Sequence, residues 1–161
     1  MKKACTAQEY GMKRRTVYQE SIFPADRERV FRLLRELKTL QYVAAPYASF
    51  TPLDGKEDIR WEVGQRLSFR FRMFCLIPYG VHTIRVRQFS PDGIYTNESN
   101  THVPVWNHRI RLVDNGNGTT TYSDEVEIGA GWKTGIVWLW ARCFYAHRQR
   151  KWKKLLKRQE A

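Results

Sequence analysis

Cysteine is scarce: Cys5, Cys75 and Cys143 are the only three in 161 residues, an odd number at long, irregular spacings. That argues against a disulfide framework and a thiolate zinc site, and suits a reducing, cytoplasmic setting. No apolar run approaches the roughly 18 residues a spanning helix needs. The opening Met1-Lys2-Lys3-Ala4-Cys5 has no apolar stretch behind it, so neither a signal peptide nor a lipoprotein leader is expected. Also missing are a Gly-x-Ser-x-Gly nucleophile elbow, a phosphate-binding glycine loop and a dinucleotide fingerprint. His82, His102, His108, Glu98 and Asp124 are metal-ligand types, but no pair has helical i, i+4 spacing. Neither a metal nor a cofactor is expected.

Acidic residues are few, 16 against 28 Lys and Arg, for a net charge of +12. The excess sits at the ends: residues 1–15 hold +4 and residues 141–161 hold +7, leaving the 125 between them almost neutral. Nucleic-acid readers usually interleave cations with stacking aromatics on one face. Here Arg150, Lys151, Lys153, Lys154, Lys157 and Arg158 continue a helical pattern instead, so nucleic acid is not the expected partner. With Trp152 among them, these cations fit a solvated helix end, an anionic membrane surface or a homodimer contact.

What is present is enough apolar residue (42%) for one domain with a core. Residues 1–14 read as a basic, flexible leader and 15–158 as the single domain. Arg15–Phe23 alternates as a strand, Pro24-Ala25-Asp26 interrupts it, and a helix follows from Arg27 on Val30, Phe31, Leu33, Leu34 and Leu37. A short helical piece is expected over Thr39–Ala44. Strands follow at Ala48–Leu53, Arg66–Leu76, Val81–Phe89, Ile94–Asn100, Trp106–Val113 and Thr119–Ile128, with Pro78-Tyr79-Gly80 and Asp114-Asn115-Gly116-Asn117-Gly118 as turns. A long helix runs from Trp132 to about Lys157, and its apolar first half needs a large apolar surface to cover it. The class is therefore α+β: a curved antiparallel sheet of about seven strands wrapped around a long C-terminal helix, with one or two short helices after the first strand.

This order resembles the START/polyketide-cyclase (SRPBCC) group and its helix-grip fold. The resemblance is carried by Val17 through Phe31, a strand, a Pro-Ala turn and a helix with Val then an aromatic, and by Asp124-Glu125-Val126 before the Gly129-Ala130-Gly131 bend. It implies a cavity between sheet and helix for a lipid or other small hydrophobic ligand, and in some members a cyclase, aromatase or hydrolase activity.

Alternation places Phe69, Phe71, Met73, Ile84, Val86, Ile110 and Val126 inward, with Val137, Ala141 and Tyr145 from the helix. The polar exceptions on the same faces are His82, Trp106, His108, Tyr122 and Asp124. A turn at Gly116–Gly118 sets position 108 opposite 124, so His108 and Asp124 are expected as a cross-strand pair. They are the candidate acid/base groups, with Tyr122 or His82 orienting a carbonyl. Three functions follow: a carrier of a small hydrophobic or amphipathic ligand, an enzyme in the same cavity, or an interaction module using the basic helix. Cys75 and Cys143 read as small buried hydrophobes.

Overall fold

The computed structural model describes residues 11–158; most of the basic leader, residues 1–10, lies outside them. The strands are β1 (Arg15–Phe23), β2 (Ala48–Pro52), β3 (Arg66–Met73), β4 (Ile77–Ser90), β5 (Gly93–Asn100), β6 (Val103–Asp114) and β7 (Thr120–Gly129). The helices are α1 (Arg27–Leu34), α2 (Leu37–Ala44) and the 25-residue α3 (Thr134–Arg158), entered through a 3₁₀ turn at Gly131–Lys133. All strand pairs are antiparallel, in the spatial order β1-β7-β6-β5-β4-β3-β2. Only β1 is displaced from its chain neighbours, and α1 and α2 make the crossing from β1 to β2. The result is a helix-grip fold.

Local chemistry sets the boundaries. Asp26 caps α1 by accepting a hydrogen bond from the Arg29 amide (2.8 Å). Thr134 opens α3, its hydroxyl accepting from Ala130 N (2.9 Å) and donating to Gly131 O (2.7 Å). Trp138 Nε1 and Gln149 Nε2 then donate to the Thr16 and Gln19 carbonyls, holding α3 along β1.

The β3–β4 connection differs from expectation. The turn is made by residues 74–76, and Pro78 and Tyr79 already belong to β4. Gly80 (φ +80°) marks an extra residue in β4, a bulge that re-aims the strand, because Arg70 pairs with Val81 while Arg72 pairs with Pro78. The turn itself falls on Phe74 and Cys75, both with positive φ (51° and 60°), so Cys75 leaves the inward strand face assigned to it and sits half-buried. A left-handed backbone at a residue with a Cβ costs about 1 kcal/mol. Cys75→Gly is therefore expected to raise the urea midpoint by a stabilisation of up to about 1 kcal/mol; an unchanged or lower midpoint contradicts this account of the turn.

The core lies in the concavity of the sheet and has two apolar parts. One gathers Val17, Phe50, Phe71, Trp106, Val126 and Phe144; the other gathers Phe23, Val30, Leu112, Tyr122, Trp152 and Leu156. Between them each of the middle elements contributes polar side chains: Thr96 and Glu98 from β5, His108 from β6, Asp124 from β7, and Arg148 and Gln149 from α3. A buried polar layer thus divides the core across its width.

Candidate functional site

A cavity of about 420 Å³ opens between α3, α2 and strands β2–β6. Its walls are mainly apolar: Leu40, Phe50, Phe71, Met73, Ile84, Val103, Val137, Trp140 and Phe144. Ile136, 70% exposed, stands at one end, and the α3 residues Trp140, Phe144 and Arg148 lead inward from it at helical spacing. Arg148, only 5% exposed, lies at the buried end and also borders a second cavity of about 70 Å³ lined by Ile110, Thr96 and Trp152.

The polar side chains on the wall form one network. His82 Nε2 and Glu98 Oε2 are 2.6 Å apart, and Thr96 Oγ1 donates to Glu98 Oε1 (2.6 Å). His108 bridges the layer, its Nε2 2.8 Å from Asp124 Oδ1 and its Nδ1 3.9 Å from Glu98 Oε1. Tyr122 donates to Asp124 Oδ1 (3.2 Å) and Gln149 Nε2 to Asp124 Oδ2 (3.0 Å). Arg148 Nη2 donates to Tyr122 Oη (3.3 Å), and Trp106 Nε1 donates to Tyr145 Oη (3.2 Å).

Burial pushes the Glu98 carboxyl upward, but the hydrogen bond with His82 and the flanking imidazoles outweigh it and hold the group below the usual range. Asp124 is likewise raised by burial and more strongly lowered by the Arg148 charge and the bonds from His108 and Gln149. Both are carboxylates at neutral pH. Burial moves Tyr122 and Tyr145 above their ordinary values, so both keep their protons. For Arg148, burial opposes the charge, but Tyr122 and Asp124 favour it more, and the guanidinium stays charged.

These directions fix a pH dependence. A carboxyl depressed on folding stabilises the fold above its unfolded pKa, about 3.9 for Asp and 4.3 for Glu, and loses that contribution as pH falls through the lower folded value. Urea midpoints are expected to hold from pH 7 to about 5 and to drop below about 4. In Asp124→Asn the drop is expected to be shallower, and an equal acid slope in the variant would show that Asp124 carries none of it.

Of the sequence-predicted residues, Phe71, Met73, His82, Ile84, Trp106, His108, Val137 and Tyr145 line the main cavity. Ile110 lines the second, smaller one. Phe69, Val86, Tyr122, Asp124, Val126 and Ala141 do not reach either space: they are at most 1% exposed and pack beneath the wall. The expected register also differs. His108 pairs with Val126 and Ile110 with Asp124, a shift of two residues, because the hairpin closes at Asp114–Thr120 around a longer loop. A shift of two preserves the side-chain face, so His108 still meets Asp124 diagonally.

Sequence reading missed Glu98 and Arg148. Glu98 lies on the face Ile94, Thr96, Glu98, Asn100, too polar to signal an inward side. Arg148 was absorbed into the basic tail, although its spacing from Ala141, Tyr145 and Trp152 continues the buried stripe of α3.

The basic helix end is also corrected. Trp152 is fully buried, and Lys151 lies over the Tyr42 ring (4.0 Å), so no exposed tryptophan accompanies Arg150, Lys153, Lys154, Lys157 and Arg158. The exposed tryptophan is Trp132 (92%), at the opposite end of the helical segment. Cys143 faces outward rather than into the core. His102 is exposed, stacked near Tyr79, away from the polar layer. Among the described residues, no three His, Cys, Asp or Glu side chains converge as a metal site, and no helix is long and apolar enough to cross a membrane.

The model of a domain of unknown function, DUF8410, matches residues 21–156. The chain belongs to the DUF8410 family. No curated protein matches it. Its fold is similar to that of a START superfamily protein from Mycobacterium smegmatis, with a TM-score of 0.64 at 14% identity, covering 89% of this chain and 98% of that one. A Chromobacterium violaceum protein gives 0.66 at 18%, covering 88% and 96%. Norcoclaurine synthase from Thalictrum flavum, solved with dopamine and hydroxybenzaldehyde, gives 0.66 at 10%, covering 100% and 96%. This DUF8410 member therefore has a START/SRPBCC-like fold, a ligand-binding architecture that also hosts enzymes.

Proposed function

We propose that this DUF8410 protein is a cytoplasmic carrier that encloses a small hydrophobic or amphipathic ligand between its sheet and α3. The observation that carries the reading is the 420 Å³ cavity, apolar on most of its wall with polar groups converging at one end. Its volume lies within the roughly 300–1,000 Å³ of small-molecule sites. The unpaired thiols of Cys75 and Cys143, the latter exposed, support a reducing compartment. Native mass spectrometry of the purified protein is expected to show a co-purifying apolar molecule. The neutral dye N-phenyl-1-naphthylamine is expected to bind saturably and quench Trp106 and Trp140, which line the cavity. Absence of both signals overturns the carrier reading.

An enzyme of cyclase, aromatase or hydrolase type is the second reading, favoured by the short His82–Glu98 contact on the cavity wall. Asp124, shut off beneath His108, acts in this reading only by positioning that imidazole. His82→Gln separates the two: unchanged dye binding with lost turnover supports an enzyme. Trp132, Ile136 and Leu139, all more than half exposed, supply the apolar contact for a homodimer, while the cations of the last turns engage an anionic membrane through charge alone.

A further inference from the structure

The hydrogen-bonding capacity left over on the cavity walls is one-sided. Arg148 Nε is buried without a hydrogen-bond partner, 3.8 Å from Asp124 Oδ1, and Trp140 Nε1 is buried without one on the same wall. Tyr145 Oη accepts from Trp106 Nε1, and its own proton has no acceptor among the described residues. In the second cavity the orphaned atoms are Trp61 Nε1 and Trp152 Nε1, again donors. The acceptors on the main wall are engaged instead: Glu98 through both oxygens, and Asn100 Oδ1 by the His102 amide. A buried donor without a partner is costly, so these groups require either water or a ligand that supplies acceptors.

Charge limits which acceptor. The layer beneath the cavity already holds two carboxylates, Glu98 and Asp124, against one guanidinium, Arg148. A third anion adds repulsion at low dielectric, and an ammonium group brings donors to a wall that has too many. We infer that the ligand is a neutral carbonyl compound, a ketone, aldehyde or ester on an apolar body, with its oxygen at the buried end between Arg148 and Tyr145. These two side chains are one helical turn apart on α3, within reach of a single oxygen that has two lone pairs. The apolar body then runs along Phe144 and Val137 toward Ile136. Water satisfies the donors when the cavity is empty, and the carbonyl displaces it.

This inference rests on the carrier reading, and displacement of bound N-phenyl-1-naphthylamine tests the two separately. The competitors are decan-2-one, dec-1-ene, decanoate and decylamine, matched in carbon number. Decan-2-one is expected to bind at least about tenfold tighter than dec-1-ene, and tighter than decanoate and decylamine. Tyr145→Phe and the charge-balanced double variant Arg148→Met/Asp124→Asn are each expected to erase most of that ketone preference while leaving dec-1-ene affinity unchanged. Should either variant fail to fold, the ranking in the wild-type protein still decides. Equal affinities for ketone and alkene overturn the inference but leave the carrier reading standing, as does tighter binding of decanoate or decylamine. Failure of the dye and all four competitors overturns both.

Discussion

Asp124→Ala is expected to destabilise the protein by about 3–5 kcal/mol, the range seen when one partner of a buried charged pair is removed. Asp124 is fully buried and accepts from His108, Tyr122 and Gln149, and its charge lies 3.8 Å from Arg148 Nε. Alanine leaves a guanidinium in the core with only a hydroxyl beside it and strands three donors at once. The polar layer also separates the two apolar parts of the core, so its collapse loosens both. The measurement is a urea titration: a lower midpoint at an unchanged slope, with a melting temperature reduced by about 10 °C. Asp124→Asn keeps acceptor capacity and is expected to lose less. A loss under about 1 kcal/mol for alanine would show that Arg148 finds another counter-charge.

Val137→Trp is the complementary case, with a large effect on binding and little on stability. Val137 is half-buried on α3 with its side chain on the cavity wall, so a larger side chain can grow into space that is already open. Overpacking normally costs about 1–3 kcal/mol, but that cost arises in filled cores. Here the indole meets Phe71 and Trp140 across the opening, adding contact rather than strain. Affinity for N-phenyl-1-naphthylamine is expected to fall by about 100-fold or more, with the melting temperature within about 2 °C of wild type. Undiminished dye binding in a folded variant would place the ligand elsewhere.

The comparison of Tyr122 with Tyr145 shows where sequence reading succeeds and where it stops. Both were assigned inward from periodicity, and both are buried. Only Tyr145 reaches the cavity; Tyr122 is stacked on Phe23 (4.4 Å) and shielded by Trp152. Periodicity reports the face a side chain takes. It carries no information on whether the opposing layer closes over that side chain, which depends on how far α3 stands off from each strand. The same limit explains the six predicted cavity residues that pack solid, and it explains Arg148, whose helical stripe was legible but whose charge pointed the reading toward solvent.

Glycine and aspartate near a turn likewise give an approximate location rather than a register. Pro78-Tyr79-Gly80 has turn composition, yet Gly80 serves a bulge and the chain reverses at Phe74 and Cys75, because tertiary pairing of β3 with β4 overrides the local preference.

The element order, the inward and outward faces of most strands and the match of His108 with Asp124 were written into the chain. They follow from alternation with a period of two and helical spacing of 3.6, which are properties of the backbone itself. The cavity, its division by a charged layer and the surplus of donors along its wall arise only when distant elements meet. Glu98, Asp124 and Arg148 become one electrostatic unit through packing, and each of them read singly in the sequence is an ordinary charged residue.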